Sequence, residues 1–230
     1  MILVKPSFEI LEIMGIDGVG QDALELIEKA GRTCYKSEDR IDGNSALKFT
    51  ESILKRGHES VIEHSAMTVK FICDRGVSHE LVRHRLCAFS QESTRYCNYK
   101  GGVTFVIPPW LDVREGEYGD TSLASYILSF STSKTSASKS CWLNAMLRSE
   151  RSYTELLNYD WSPQQARSVL PNSTKTEIVI TANFREWRHI FKLRCAKVAH
   201  PQMREIMIPL HRKCKESIPI IFDDIGEHDA

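Results

Sequence analysis

Residues 79–96 read His-Glu-Leu-Val-Arg-His-Arg-Leu-Cys-Ala-Phe-Ser-Gln-Glu-Ser-Thr-Arg-Tyr, and the rest of the chain is organised around them. They bring Arg83, His84, Arg85 and Arg95 within thirteen positions, with Ser90, Gln91, Glu92 and Ser93 between. The first half has helical spacing: Val77, Leu81 and Val82 recur near a 3.6 period, and Ser78 is placed to cap. From Ser90 the polarity predicts a turn into a strand. On a helix, Arg83, His84 and Arg85 point about 100° apart. Two diverging guanidinium forks suit different parts of one large anion, or two adjacent anions, because guanidinium stays charged and binds phosphate through paired donors. A solvated basic helix end fits the same spacing.

Upstream of this stretch, residues 66–73 alternate as a strand, and 58–64 (His-Glu-Ser-Val-Ile-Glu-His) form a dense polar loop. Ser45 is placed to cap a helix over 46–56 that Gly57 stops. Residues 20–30 have helical spacing, with Gly31 closing the helix. Residues 2–14 read as one edge strand, because Pro6 interrupts them. Downstream, 103–107 is a short strand, and 121–157 is helical with a break in the Ser/Thr/Lys-rich 131–140. Residues 163–170 form a short helix with Pro163 at its start. Residues 174–182 form a strand, 184–199 and 202–217 two helices, and the tail from 218 is loosely ordered. Strands and helices mix without regular alternation, which predicts an α+β fold: a mixed or antiparallel sheet with flanking helices.

Bulk properties narrow the function. Lys+Arg and Asp+Glu both number 30 in 230 residues, so the basic clusters are local and a general nucleic-acid binder is disfavoured. The seven cysteines are widely spaced and form no CxxC pair, which fits a reducing cytosol. The opening Met-Ile-Leu-Val-Lys-Pro lacks a signal-peptide layout. No apolar run approaches the roughly 20 residues of a membrane span.

Several chemistries can be weighed by spacing. The pairs His58-Glu59 and His79-Glu80 lack the second His of a metalloprotease helix, since Ile62 and Arg83 stand there. His58, His64 and Glu63 fit loop hydrogen bonding or ligand contact better than a metal site, and no metal is expected. No glycine-rich dinucleotide or phosphate-loop motif occurs. Ser93 would need a base to act as a nucleophile, and no Gly-x-Ser-x-Gly elbow is present. A second polar constellation lies later: Arg185 and His189 share a helix face, Asn183 precedes the first turn, and Arg194 follows. Arg167 sits in the short helix before it. Basic residues outnumber acidic ones between 185 and 215, so this region suits an anionic partner.

Arg83-His84-Arg85, seven residues, Ser93 and then Arg95 resembles the signature of the flavin-dependent thymidylate synthases. Gly57-His58-Glu59-Ser60 with Glu63-His64, Ala166-Arg167-Ser168-Val169-Leu170-Pro171, and Asn183-x-Arg185 with His189 and Arg194 resemble other segments of that family, in order. The resemblance implies one α+β domain over residues 1–230, in a cytoplasmic homotetramer whose active sites are shared among subunits. It implies FAD stacked on dUMP, NADPH as reductant and 5,10-methylenetetrahydrofolate as carbon donor. The flavin supplies the hydride, and the products are dTMP and tetrahydrofolate. By position, Ser60, Arg83, His84, Arg85, Gln91, Asn183, Arg185 and His189 would contact FAD. Glu80, Arg83, Gln91, Glu92, Ser93, Thr94, Arg95, Arg167 and Arg194 would line dUMP. Arg194 would be the catalytic group that polarises the uracil, and His58 would lie near the folate entry. Ser93 then serves as a contact and needs no base. Glu80 stands where some members have Gln, and Gln91 where some have Glu.

Overall fold

A computed structural model describes residues 1–14, 21–130, 132–218 and 220–226, leaving out the side chain of Gln21. Residue 20 of the first expected helix, Ser131 of the expected break, and tail residues 219 and 227–230 lie outside that description. The elements run β1 (Ile2–Val4), β2 (Ser7–Ile13), α1 (Gln21–Thr33), α2 (Ser45–Lys55), β3 (Ala66–Asp74), α3 (Arg75–Leu81) and β4 (Ala88–Gln91). They continue with β5 (Thr104–Val106), β6 (Gly116–Glu117), α4 (Asp120–Leu128), α5 (Lys134–Asn158), α6 (Pro163–Ala166), β7 (Lys175–Asn183), α7 (Phe184–Arg194) and α8 (Pro201–Ser217).

The architecture is α+β, with two sheets. A three-stranded mixed sheet has the order β5-β1-β6: Leu3 pairs Phe105 in parallel register and Gly116 in antiparallel register. A four-stranded sheet has the order β2-β3-β7-β4. The single strand expected over 2–14 is therefore two strands in different sheets. Pro6 is the reason, since it has no N–H to continue a ladder. Strand β1 is central in its sheet, and only β2 is at an edge. In β3 and β7 every second residue is buried, among them Met67, Val69, Phe71, Ile178 and Ile180. That is the period-2 face of a strand packed on a core.

The chain forms two compact units. One comprises residues 1–7, 72–81 and 91–178. Its core joins Leu3, Phe105, Leu143, Met146 and Tyr153. The other comprises residues 8–71, 82–90 and 179–230. In it Trp187 is fully buried, packs on Phe71 and Phe191, and donates its indole N–H to the Met67 carbonyl at 3.0 Å.

Five local expectations are corrected. Helix α3 ends at Leu81, so Arg83, His84 and Arg85 lie in the following turn. Val82 mimicked the helical period but is 39% exposed. Ser78 is inside α3 and donates to the Arg75 carbonyl; Asp74 Oδ1 instead accepts the Val77 N–H at 2.7 Å. Strand β4 ends at Gln91 and the turn follows it, the reverse of the expected order. Gly31 does not close α1, which runs to Thr33. A Cβ there would meet the Phe49 ring at 2.5 Å, so any larger residue would force that ring to shift. Finally, the tail is docked: Ile218, Ile221 and Phe222 are fully buried, and Ile225 nearly so. Phe222 packs edge-on against Phe184 and Phe191. Buried Arg188 forks onto both Asp224 oxygens at 2.6 Å and donates to the Ile221 carbonyl. Among the described residues no helix is long and apolar enough to cross a membrane, and no disulfide joins the cysteines.

Candidate functional site

Helix α7 carries the later constellation. Asn183 is its N-cap, accepting the Glu186 N–H at 2.9 Å, so this residue is partly a structural stop. The helical period turns Trp187, Ile190 and Phe191 into the core. Asn183, Arg185, Glu186, His189 and Lys192 line a cavity of about 680 Å³, completed by Glu59, Glu63 and Leu86. Arg185 donates to Glu63 at 2.6 Å; both side chains are about half exposed.

Next to this wall, Arg194 Nε donates to His84 Nε2 at 3.0 Å. Arginine has no acceptor, so His84 Nε2 must present a lone pair. Burial lowers the His84 pKa most, followed by the charge of Arg194 and then His189, to about 4. The ring is therefore neutral near pH 7 and its proton sits on Nδ1, which lies 3.6 Å from Glu186 Oε1. Burial raises the Glu186 pKa, with His189 opposing. His84 and His189 meet edge-on, with centroids 5.9 Å apart.

Ligand atoms of His84, Glu186 and His189 lie within 4.8 Å of one another, a spacing a metal ion could use. The hydrogen bonds argue otherwise. A metal on Nδ1 would displace the proton that the Arg194 contact puts there, beside a fixed positive charge. The trio works better as a polar relay that holds Arg194.

The other residues expected near a flavin are spread over this unit. Arg83 and Arg85 are exposed in the turn after α3, and Ser60 and His58 are exposed on or beside the 3-10 turn Glu59–His64. None of these four lines the cavity.

The unit of residues 1–7, 72–81 and 91–178 holds most of the residues expected near dUMP. Gln91 is half-buried and donates to Ser78 Oγ at 2.9 Å and Thr176 Oγ1 at 3.2 Å. Glu92 is fully engaged: Tyr99 Oη donates to one oxygen at 2.7 Å, while Lys175 Nζ at 3.0 Å and the Glu177 N–H at 3.2 Å donate to the other. Burial, and then the bond to Glu92, raises the Tyr99 hydroxyl far above its ordinary range. Burial alone would lower Lys175; its bonds to Glu177 and Glu92 outweigh that and raise it. Sequence reasoning missed Tyr99 and Lys175. The available signal was Lys175-x-Glu177, which puts opposite charges on one face of a strand.

Ser93 Oγ accepts the Arg95 backbone N–H at 3.3 Å, and no histidine bonds it among the described residues. Arg95 is exposed over the Tyr96 ring at 5.2 Å. Thr94 is buried and accepts from Arg167 at 3.1 Å. Thr94 and Arg167 line a second cavity of about 460 Å³. Glu80 is half-buried at the end of α3 and lines neither cavity.

With this arrangement in view, the chain belongs to the thymidylate synthase complementing protein family, whose model matches residues 17–220. Its relatives carry a more particular description, flavin-dependent thymidylate synthase. That of Geobacter sulfurreducens is 31% identical over 86% of this chain and 79% of its own length. That of Corynebacterium diphtheriae is 32% identical over 91% and 81%, and that of Mycobacterium bovis 34% over 86% and 78%. The crystal structure of the UMP/dUMP methylase PolB from Streptomyces cacaoi, bound with 5-Br dUMP, is similar over both whole chains, with a TM-score of 0.72 and 25% identity.

Proposed function

We propose that this chain catalyses the reductive methylation of dUMP to dTMP, with 5,10-methylenetetrahydrofolate as carbon donor and NADPH-reduced FAD as reductant. In this reading residues 1–230 act as one domain in a cytoplasmic homotetramer with shared active sites. One observation carries it: Asn183, Arg185 and His189, three positions the family motif gives to the flavin, line one cavity of about 680 Å³. That volume lies within the roughly 300–1,000 Å³ typical of cofactor pockets.

The donor set fits a flavin dinucleotide. Its diphosphate needs cationic donors, and Arg185 and Lys192 line the cavity. Glu59 and Glu63 oppose it, but the Arg185–Glu63 pair is half exposed and therefore weak. Exchanging Glu63 for a phosphate would cost little. Bound there, a flavin would supply the electrons that turn the transferred methylene into a methyl group.

The chain's own residues bind and polarise. Arg194, held by neutral His84, would stabilise negative charge developing on the uracil. Arg95 and Arg167 suit the phosphate of the nucleotide. Glu92 would act through the turn it braces, since both its oxygens are already engaged. Ser93 would be a contact, and His58 would stand near the folate.

An absorbance spectrum of the purified protein tests the cofactor. A flavin spectrum and dUMP- and folate-dependent NADPH oxidation yielding dTMP are expected; a colourless protein that cannot be reconstituted with FAD would overturn the reading. Arg194→Ala should lower dTMP formation by about 100-fold or more while FAD stays bound. Unchanged turnover would remove Arg194 from its role.

A further inference from the structure

We infer that Tyr99 and Lys175 are positioning residues for the nucleotide: they bind the Glu92 carboxylate and so fix the turn that carries Ser93, Thr94 and Arg95. The inference rests on the dUMP reading above and adds two residues that lie outside the family's motif segments.

Three observations carry it, all within the compact unit that includes residues 91–178. The first is how completely Glu92 is held. Tyr99 Oη donates to one carboxylate oxygen at 2.7 Å, and Lys175 Nζ donates to the other at 3.0 Å. The Glu177 N–H reaches that second oxygen at 3.2 Å, and the Glu92 N–H donates in return to the Glu177 carbonyl at 2.9 Å. Side chain and main chain of Glu92 are both tied to β7. The Lys175 and Glu92 side chains are 19% and 16% exposed, too little for the solvent screening that weakens surface pairs. A carboxylate with donors on both oxygens has little left for a ligand, so Glu92 serves a nucleotide through what it holds in place.

The second observation is the charge balance. Lys175 also donates to Glu177 Oε1 at 2.6 Å, so one ammonium stands between two carboxylates. The reciprocal main-chain bonds keep Glu92 and Glu177 opposite one another, and like charges so placed repel. Without the ammonium, the readiest relief is for Glu92 to swing out, and the turn that follows it would move too. Burial works against the charge on Lys175, but its bonds to Glu177 and Glu92 outweigh that. Burial, and then the bond to Glu92, keeps the Tyr99 hydroxyl protonated. Both donors therefore persist across the neutral range.

The third is anchoring at each end. The Tyr99 backbone N–H donates to Tyr153 Oη at 3.3 Å, and the two rings lie 5.9 Å apart. Tyr153 is fully buried in the core of this unit. At the other end, the Tyr96 and Cys97 N–H groups close the turn on the Ser93 carbonyl at 3.1 Å and 2.9 Å. Thr94 is buried within it and accepts from Arg167. A connected path therefore runs from the core through Tyr99 and Glu92 to the residues that the dUMP reading uses. Small displacements of such residues weaken a site, because binding groups must be held close to their productive geometry.

The test is steady-state dTMP formation by the purified, flavin-loaded protein, with dUMP and 5,10-methylenetetrahydrofolate varied separately. Tyr99→Phe and Lys175→Met should each raise KM for dUMP about tenfold, the size of one lost hydrogen bond to a charged group. The flavin spectrum, kcat and KM for the folate should stay within about twofold, the pattern of lost ground-state binding. Lys175→Arg keeps the charge and should recover part of the loss. Lys175→Met made on a Glu92→Gln background should add little, because no carboxylate remains at position 92 to be balanced. An equal loss in both backgrounds overturns the inference, and so does a parallel rise in both KM values, which would mark general damage to the fold. Arg95→Ala separates the two layers. If it raises KM for dUMP while folded Tyr99→Phe and Lys175→Met do not, the inference is wrong and the dUMP reading stands. If the unmutated protein forms no dTMP, both fall. Should the Lys175 variants misfold, Tyr99→Phe decides, since it keeps the ring packed on Tyr153 and removes only the donor.

Discussion

His84 holds a lone pair toward Arg194 only while it stays neutral, and this couples one side chain to the stability of the fold. Its pKa falls from an ordinary 6.5 to about 4, chiefly through burial. The unfolded chain therefore binds a proton more readily than the folded one, and stability drops as pH falls. The contribution is intact above about pH 6.5 and is lost as pH falls through about 4, amounting to about 3 kcal/mol. Urea unfolding between pH 7.5 and 4 should show this loss, and His84→Gln should be less pH-sensitive than the unmutated protein; parallel curves would contradict it. Arg188 makes a second case. It is 3% exposed and satisfied by Asp224, Glu59 and the Ile221 carbonyl. Arg188→Lys keeps the charge but cannot fork onto both Asp224 oxygens, so a loss of roughly 1–3 kcal/mol is expected in the denaturant midpoint. At this scale the sequence was informative where a residue type has one use. Arg194 and Arg167 were singled out as functional arginines, but the partner that holds each, His84 or Thr94, could not be read. Those pairings cross more than 70 positions and exist only in the fold.

Periodicity found nearly every element, and the errors are concentrated at the ends. Leu81 and Val82 continue one apolar pattern, yet one is buried and the other exposed, so α3 ends between them. No local signal distinguishes two adjacent apolar residues; what lies on each side does. Gly31 reads as a stop, because glycine often closes helices, but α1 runs on past it and the Phe49 ring packs where a Cβ would stand. The tail reads as loose because it is short and polar in places. Its apolar positions nevertheless complete the core of the unit around Trp187. Phe222→Ala should cost about 3–5 kcal/mol, as for a buried aromatic, and lower the thermal midpoint. A change below 1 kcal/mol would mean that the tail is not part of that core.

For the molecule as a whole, the motif spacing carried the family, because the signature segments keep their order over most of the chain. It could not show that the chain is divided into two compact units, each assembled from three separate segments. The sequence offers no linker at the divisions, two of which fall inside β3 and β7. Assembly state is the remaining large-scale proposal. Light scattering should give about 105 kDa, four times the 26.3 kDa chain mass, and a species of about 26 kDa at micromolar concentration would contradict the shared-site tetramer.

The docking of Phe222 and Ile225 against helices that include Trp187 also bears on synthesis. The unit that holds them begins at residue 8, so its earliest segment leaves the ribosome long before the side chains that seal it have been made. During that interval Phe71, Trp187 and Phe191 stay open to solvent and to other nascent chains. Such exposure favours aggregation in domains built from distant segments. A frameshift or stop codon only a few positions before Phe222 would therefore release a polypeptide whose core stays unsealed, one that chaperones hold and proteases remove.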